Sequence, residues 1–321
     1  MSLYDRILYA IRDTDPRRAR GLAKVISLAR ACNAHLELFH AVSSPLFLTE
    51  RATDISIADL KTDTLELHRL RLEKLVARAR KYGVKASCTV TWDHPAHDAI
   101  VRRAEDSRAS LIVAQCHEGG GKRWAMHFTD WELVRTSPAP VLLMRDTSPY
   151  REPVVLAAVD PVRGHGKPAD LDENILAGGR ALAAILRGRL HVVHATHPPL
   201  SSVASETPYT LDDFRSHDRR EFERLMSRAD MNTRRGHLRE GDPARVIQQV
   251  AADTLADIVV MGAVSRSGIR RLFIGNTAER VLGRLACDVL VVKPDDFRHR
   301  VSTERQDAVV LAPAPATVQP A

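Results

Sequence analysis

The sequence predicts a duplicated α/β fold, with two doubly wound parallel sheets following one another along 321 residues. Three observations predict it. Short runs rich in Val, Ile and Leu alternate with longer amphipathic runs, the pattern of buried parallel strands covered by helices on both faces. The same succession of runs occurs twice. A polar, proline-bearing stretch around residues 146–152 separates the two copies.

In the first copy, "RILYAIRD" reads as a β-rich run and its exit turn, and "PRRARGLAKVISLARACN" as a helix. A strand "HLELFHAV" follows, then a long amphipathic helix, "TDTLELHRLRLEKLVARARKYG". Next come the strand "VKASCTV", the helix "HPAHDAIVRRAED" and the strand "SLIVAQC". A loop and helix lead to the last strand, "PVLLMRD". The second copy repeats this as "PVVLAAVDP", "LDENILAGGRALAAILRG", "LHVVHATH", "LDDFRSHDRREFERLMSRAD", "GHLRE", "GDPARVIQQVAADT", "DIVVMG" and "DVLVVKPDD". The matched helices "HPAHDAIVRRAED" and "GDPARVIQQVAADT" both open with proline in the first turn, where its missing N–H costs nothing. Right-handed crossovers make each copy doubly wound. The units are therefore domain 1 at 1–146, domain 2 at 152–297, and a Pro- and Ala-rich tail at 298–321 without sustained periodicity, read as unstructured.

Composition narrows the function classes. Apolar residues make up 44% and charged residues 27%, as in ordinary soluble folded chains. Only 5% is aromatic, against a surface that stacks nucleic-acid bases. The net charge is +7, but acids are interspersed among the arginines, which favours solvated faces over a nucleic-acid patch. Four scattered cysteines without a C-x-x-C pair fit buried thiols in a reducing compartment. The N-terminus is not a signal peptide, and no apolar run approaches the ~20 residues of a membrane span. A cytoplasmic location is expected.

Ligands of open α/β sheets bind beyond the carboxyl ends of the strands, where strand order reverses. In the second copy this selects Asp160 and the stretch "MGAVSRSGIRRLFIGNTAERV" from Met261. Asp160 can accept from a base or ribose, glycines let backbone approach phosphate, and free N–H groups near Asn276 would face an anion. The alternative is a Gly-containing loop in which Asn276 or Thr277 caps a helix. "CHEGGGKRW" and "RGHGKPAD" lack phosphate-loop spacing, and no dinucleotide fingerprint follows a first strand. Asp93, His94, His97 and Asp98 have helical ligand spacing, but the duplicate segment has none, so no metal site is expected. Cys116, His117 and His127 lack a visible orienting group for nucleophilic catalysis.

The segment "IVVMGAVSRSGIRRLFIGNTAERVLGRLACDVLVVKPDDF" resembles the C-terminal signature of the universal stress protein family, and the duplication resembles its tandem E-type members. "FTDWELVRTSPAPVLLMRD" carries a matching tandem-type feature in the first half. The resemblance implies two five-stranded, Rossmann-like parallel domains of strand order 3-2-1-4-5. Nucleotide-binding members carry an Asp after the first strand and the motif G-x2-G-x9-G-(S/T). On this chain those positions fall on Asp160 with Pro161, Ala195 for the second-strand contact to the base, Gly262, Ser265 with Arg266, Gly275, and Asn276 with Thr277. Ser265 and Asn276 depart from the motif. The first half departs further, with Arg12 and Asp13 after its first strand, Gln115 opposite Gly262, and His127 and Phe128 opposite Gly275 and Asn276.

The resemblance implies a non-enzymatic stress-response protein acting by small-ligand or partner binding, with the ligand site in domain 2 and domain 1 not binding ATP. ATP with magnesium is the candidate cofactor there. The alternatives are an ATP switch with slow hydrolysis and a nucleic-acid-binding factor. The family pairing of domains implies that "VLLM" at 141–144 and "VLVV" at 289–292 meet across a pseudo-two-fold axis within the chain, burying two apolar edges. A homodimer of the chain is expected on top of this.

Overall fold

The computed structural model describes residues 3–43, 57–118, 124–125, 128–162, 168, 170–196, 210–263, 276–297, 301 and 309–311. Domain 1 contains β1 (Arg6–Ala10), α1 (Leu22–Cys32), β2 (His35–Val42), α2 (Ile57–Lys81), β3 (Ala86–Trp92), α3 (Ala96–Asp106), β4 (Leu111–Gln115), β5 (His117–Glu118), β6 (Trp124–Ala125), α4 (Phe128–Thr136) and β7 (Val141–Met144). Domain 2 contains β8 (Val154–Ala158), α5 (Leu171–Ile185), β9 (Arg189–Thr196), α6 (Leu211–Arg228), β10 (Gly236–Glu240), α7 (Pro243–Asp253), β11 (Ile258–Gly262), α8 (Asn276–Leu282) and β12 (Asp288–Val292). A short β13 (Val309–Leu311) follows.

The strands form an 11-stranded sheet in the order β10-β9-β8-β11-β12-β7-β4-β1-β2-β3-β13. Each domain thus shows the 3-2-1-4-5 order, and the last strands of the two domains meet. β12 runs antiparallel to β7 with Val291 opposite Val141, Leu290 opposite Leu142 and Val289 opposite Leu143. All strand pairs within each domain's five strands are parallel.

Side chains alternate across this seam, as the two-residue period of a strand requires. Leu142, Met144, Leu290 and Val292 enter one core with α1, α2, α5 and α6. Val141, Leu143, Val289 and Val291 enter the other with α3, α4, α7 and α8. Both cores run from one domain into the other. A third link is polar. Asp288, 1% exposed, takes Lys24 Nζ at 2.7 Å and the backbone N–H groups of Arg145 and Asp146 at 2.7 and 3.2 Å. The Tyr150 hydroxyl donates to the same carboxylate, and Lys24 Nζ stands 4.1 Å over the Tyr150 ring. Arg145 crosses the seam and donates to the carbonyls of Leu282 and Leu285.

Three details correct the sequence reading. The tail read as unstructured contributes β13, which lies antiparallel to β3 with Val310 opposite Thr91. The β-branched run "AVVLA" supplies the strand, and the free edge of β3 supplies the partner. The stretch after β4, read as a loop, contains the β5–β6 hairpin pairing His117 with Ala125. The first helix begins at Leu22, not at Pro16, because "PRRAR" offers no apolar face and the helix gains burial only from Leu22 onward.

Candidate functional site

β8 ends at Ala158, and Val159 continues its pairing by donating to the Val193 carbonyl at 3.0 Å. Asp160 comes next. Its backbone N–H donates to Asp172 Oδ1 at 3.0 Å, so buried Asp172 at the start of α5 fixes the turn that carries Asp160 and Pro161. Ala195 lies near the carboxyl end of β9 beside Arg239 of β10. Its neighbour His194 is buried, with Nδ1 3.2 Å from the Val159 carbonyl and Nε2 4.0 Å from Asp218 of α6. Burial holds the His194 imidazole below its ordinary pKa, against the pull of Asp160. Burial also raises the Asp218 carboxyl, and His194 opposes that shift. The described side of this region therefore gathers the carboxylates of Asp160, Asp172 and Asp218.

Gly262 closes β11. A β-carbon there would stand 2.6 Å from Leu171 Cδ2, so packing against Leu171 already accounts for the missing side chain. In domain 1 Gln115 stands in the place of Gly262, and it packs over Gly21, just before α1. A β-carbon on Gly21 would meet Gln115 Oε1 at 2.8 Å and the Tyr9 hydroxyl at 2.9 Å. Ser265, Arg266 and Gly275 lie outside the described residues. Asn276 and Thr277 open α8, and only their backbone is described, so their capping role rests on sequence alone.

At the pseudo-equivalent position of domain 1, Arg12 replaces Asp160 and pairs with Asp130 of α4 at 3.2 Å. His40 replaces His194, with Nδ1 2.8 Å from the Ile11 carbonyl. His68 replaces Asp218, and its ring lies tilted by 35° against His40 with centroids 4.5 Å apart, while Nδ1 meets Thr14 Oγ1 at 2.7 Å. Burial, then His40, lowers the His68 pKa to about 4, so both imidazoles are neutral near pH 7. Beyond these strand ends opens a cavity of about 730 Å³. Ile11, Phe39 and Ala114 line its apolar part, and Arg12, Gln115 and Arg145 its polar part. Arg145 Nε is buried with no hydrogen-bond partner among the described residues. The sequence places the ligand site in domain 2; this cavity lies in domain 1, lined by the ends of β1, β2 and β4, the exit of β7, and α3 and α4. The His40 and His194 signal was present in the sequence as matching positions of the two second strands.

The discarded motifs resolve into structure. Asp93 takes the buried Arg102 guanidinium at 2.7 Å, His94 meets Ser43 at 2.7 Å, and His97 meets Asp98 at 3.4 Å. Among the described residues no group of three His, Cys, Asp or Glu side chains is placed to hold a metal ion. Burial pushes the Cys116 thiol up to about 12, so it is not a thiolate nucleophile. Many helix arginines are engaged locally, such as Arg224 with Glu221 at 2.5 Å and Arg280 with Asp242 at 2.8 Å. No described helix is long and apolar enough to cross a membrane.

Two doubly wound five-stranded halves joined at their last strands define a tandem α/β protein. Residues 3–145 and 155–293 each match the model of the Universal stress protein family, and the chain belongs to that family as a tandem-domain member. It is 25% identical to the universal stress protein E homolog of Haemophilus influenzae over 293 residues, covering 89% of this chain and 91% of the relative. It is 29% identical to universal stress protein E of Escherichia coli over 234 residues, covering 70% and 73%. A putative universal stress protein of Pseudomonas aeruginosa superposes with a TM-score of 0.69 at 25% identity, covering 91% of this chain and 94% of that one. A universal stress protein of Archaeoglobus fulgidus shares the fold, with a TM-score of 0.66 at 15% identity over 90% and 98% of the chains. Membership supports a role in the stress response.

Proposed function

We propose that the protein is a non-enzymatic stress-response protein that binds a small ligand beyond the carboxyl ends of its strands. The observation that carries this reading is the domain 1 cavity, whose volume of about 730 Å³ matches small-molecule sites. Its apolar floor and the Arg12 and Gln115 side chains that line its polar part suit a ligand with an apolar body and a hydrogen-bond acceptor. Native mass spectrometry of the purified full chain tests it. A bound small molecule lost from the Ala41→Phe variant, which fills the cavity, supports the reading. An apo chain that takes up nothing from a metabolite extract overturns it.

A second reading is an ATP switch in domain 2, for which Asp160, Pro161, Ala195 and Gly262 stand at the carboxyl strand ends with the Asp160 turn held by Asp172. Ser265, Arg266, Gly275, Asn276 and Thr277 would supply the phosphate side. ATP with magnesium binding at one per chain, abolished by Gly262→Asp in a folded variant, supports it. No mass shift at millimolar ATP removes it.

A further inference from the structure

α2 buries one face and leaves the opposite one open. Leu65, Leu72, Leu75, Val76 and Ala79 enter the core against the sheet. On the other side Leu67 and Leu70 are 48% and 46% exposed. The other large apolar side chains exposed among the described residues, Leu3, Tyr82 and Leu255, sit singly in turns. Single exposed apolar residues need no partner, but two at i, i+3 spacing on one helix face form a small patch. The duplicate helix α6 has no such patch. Phe222, Leu225 and Met226 fill the core there as Leu72, Leu75 and Val76 do in α2. In that register His217 and Arg220, both exposed, stand where α2 has Leu67 and Leu70. The fold therefore does not require leucine at these positions. Charge flanks the patch in a fixed order. Asp59 and Asp63 precede it on the exposed face, and Lys74 and Lys81 follow it. No ion pair engages any of these four among the described residues, whereas Glu73 is held by Arg69 and Lys61 lies over the Trp92 ring.

We propose that this face of α2 is a docking surface for a second copy of the chain, with the two α2 helices antiparallel about a two-fold axis between His68 and Arg69. Leu67 then stands at the level of the partner's Leu70, and Asp63 at the level of the partner's Lys74. Each contact occurs twice, as a two-fold interface requires. A parallel arrangement would set Asp63 beside the partner's Asp63 and Lys74 beside the partner's Lys74, so charge selects the antiparallel one. A single helix pair centred on two leucines is small, which places the contact among the weak, concentration-dependent interfaces of under ~1,200 Å².

The test is sedimentation equilibrium of the full chain from about 1 to about 100 µM, a range that brackets a weak dimer. The expected parent is a monomer–dimer equilibrium within that range. Leu70→Glu weakens it by about ten-fold or more, because the charge is buried against the partner's leucines. Asp63→Lys alone and Lys74→Asp alone each weaken it by about as much, since each sets two like-charged pairs across the axis. An equimolar mixture of these two charge variants forms a heterodimer as strong as the parent dimer, because every facing pair is again opposite in sign. All three positions are exposed, and unchanged far-UV circular dichroism and tryptophan fluorescence verify that each variant keeps the fold. A parent that stays monomeric across the range, a dimer indifferent to Leu70→Glu, or charge variants that do not recover on mixing overturns the proposal.

Discussion

Replacing Asp288 by Asn should loosen both domains at once. Lys24 and Asp288 have side chains 3% and 1% exposed, and their charged atoms stand 2.7 Å apart. At an effective dielectric constant near 20 their attraction is roughly 6 kcal/mol, and most of it offsets the cost of removing both charges from water. Breaking such a buried pair on one side leaves the other charge stranded and costs about 3–5 kcal/mol. Asp288 also accepts from Arg145, Asp146 and Tyr150, so the amide loses geometry at those donors too. The double variant Lys24→Met, Asp288→Leu strands no charge. It should lose less than the sum of the single changes, with a coupling of about 2 kcal/mol or more.

The tryptophans make the assay specific. All three, Trp92, Trp124 and Trp131, lie in domain 1, while Asp288 lies in domain 2. Urea unfolding followed by tryptophan fluorescence therefore reports on one domain while the perturbation sits in the other. The Asp288→Asn midpoint should fall together in fluorescence and in far-UV circular dichroism. A fluorescence midpoint that stays within the equivalent of 1 kcal/mol of the parent would refute the seam as an energetic link.

Three further outcomes follow from the same contacts. Gly262→Ala should cost about 1–3 kcal/mol in urea unfolding through overlap with Leu171, and Leu171→Ala in the same chain should recover part of that loss. Because the Lys293 amine titrates at about 7 in the folded chain and near 10.5 when unfolded, the unfolded state binds more protons between those values and stability rises with pH there. Lys293→Met should flatten that rise and add about 2–4 kcal/mol at pH 6, measured by urea melts at pH 6 and pH 9. Truncation after Phe297 removes β13, and hydrogen exchange at Val90 and Trp92, whose N–H groups face that edge, should then accelerate by ten-fold or more.

The repeated strand–helix order was legible because each element announces itself locally: apolar β-branched runs for strands, amphipathic runs for helices. The meeting of β7 and β12 followed from the family resemblance, since an apolar run at the edge of a sheet does not by itself say what covers it. β13 was illegible because a three-residue β-branched run inside a Pro- and Ala-rich tail is too short to declare a strand, and its order depends on the β3 edge. At the site, Asp160 and Gly262 could be placed from sequence because strand exits are fixed by the fold class. The reason for Gly262 could not, because Leu171 lies 91 residues away in sequence, a separation read directly from the chain numbering. The Asp218 partner of His194 was hidden for the same reason, sitting on a helix whose local pattern reads as a solvated face.

The two domains have diverged in charge at matched positions, and this bears on what each can bind. Domain 1 presents Arg12 where domain 2 presents Asp160, and it surrounds its second-strand histidine with neutral His68 where domain 2 has Asp218. The packing beneath differs as well, with Gly21 under Gln115 in domain 1 and Leu171 over Gly262 in domain 2. The frames of the two sheets stay alike while the groups beyond their strand ends differ. On the proposed ligand-binding reading, a donor-rich ligand would find its acceptors in domain 2, and a ligand with acceptors its donors in domain 1. One compound is therefore expected to saturate the chain at one site, and two equivalent sites for a single ligand would contradict this reading of the charges.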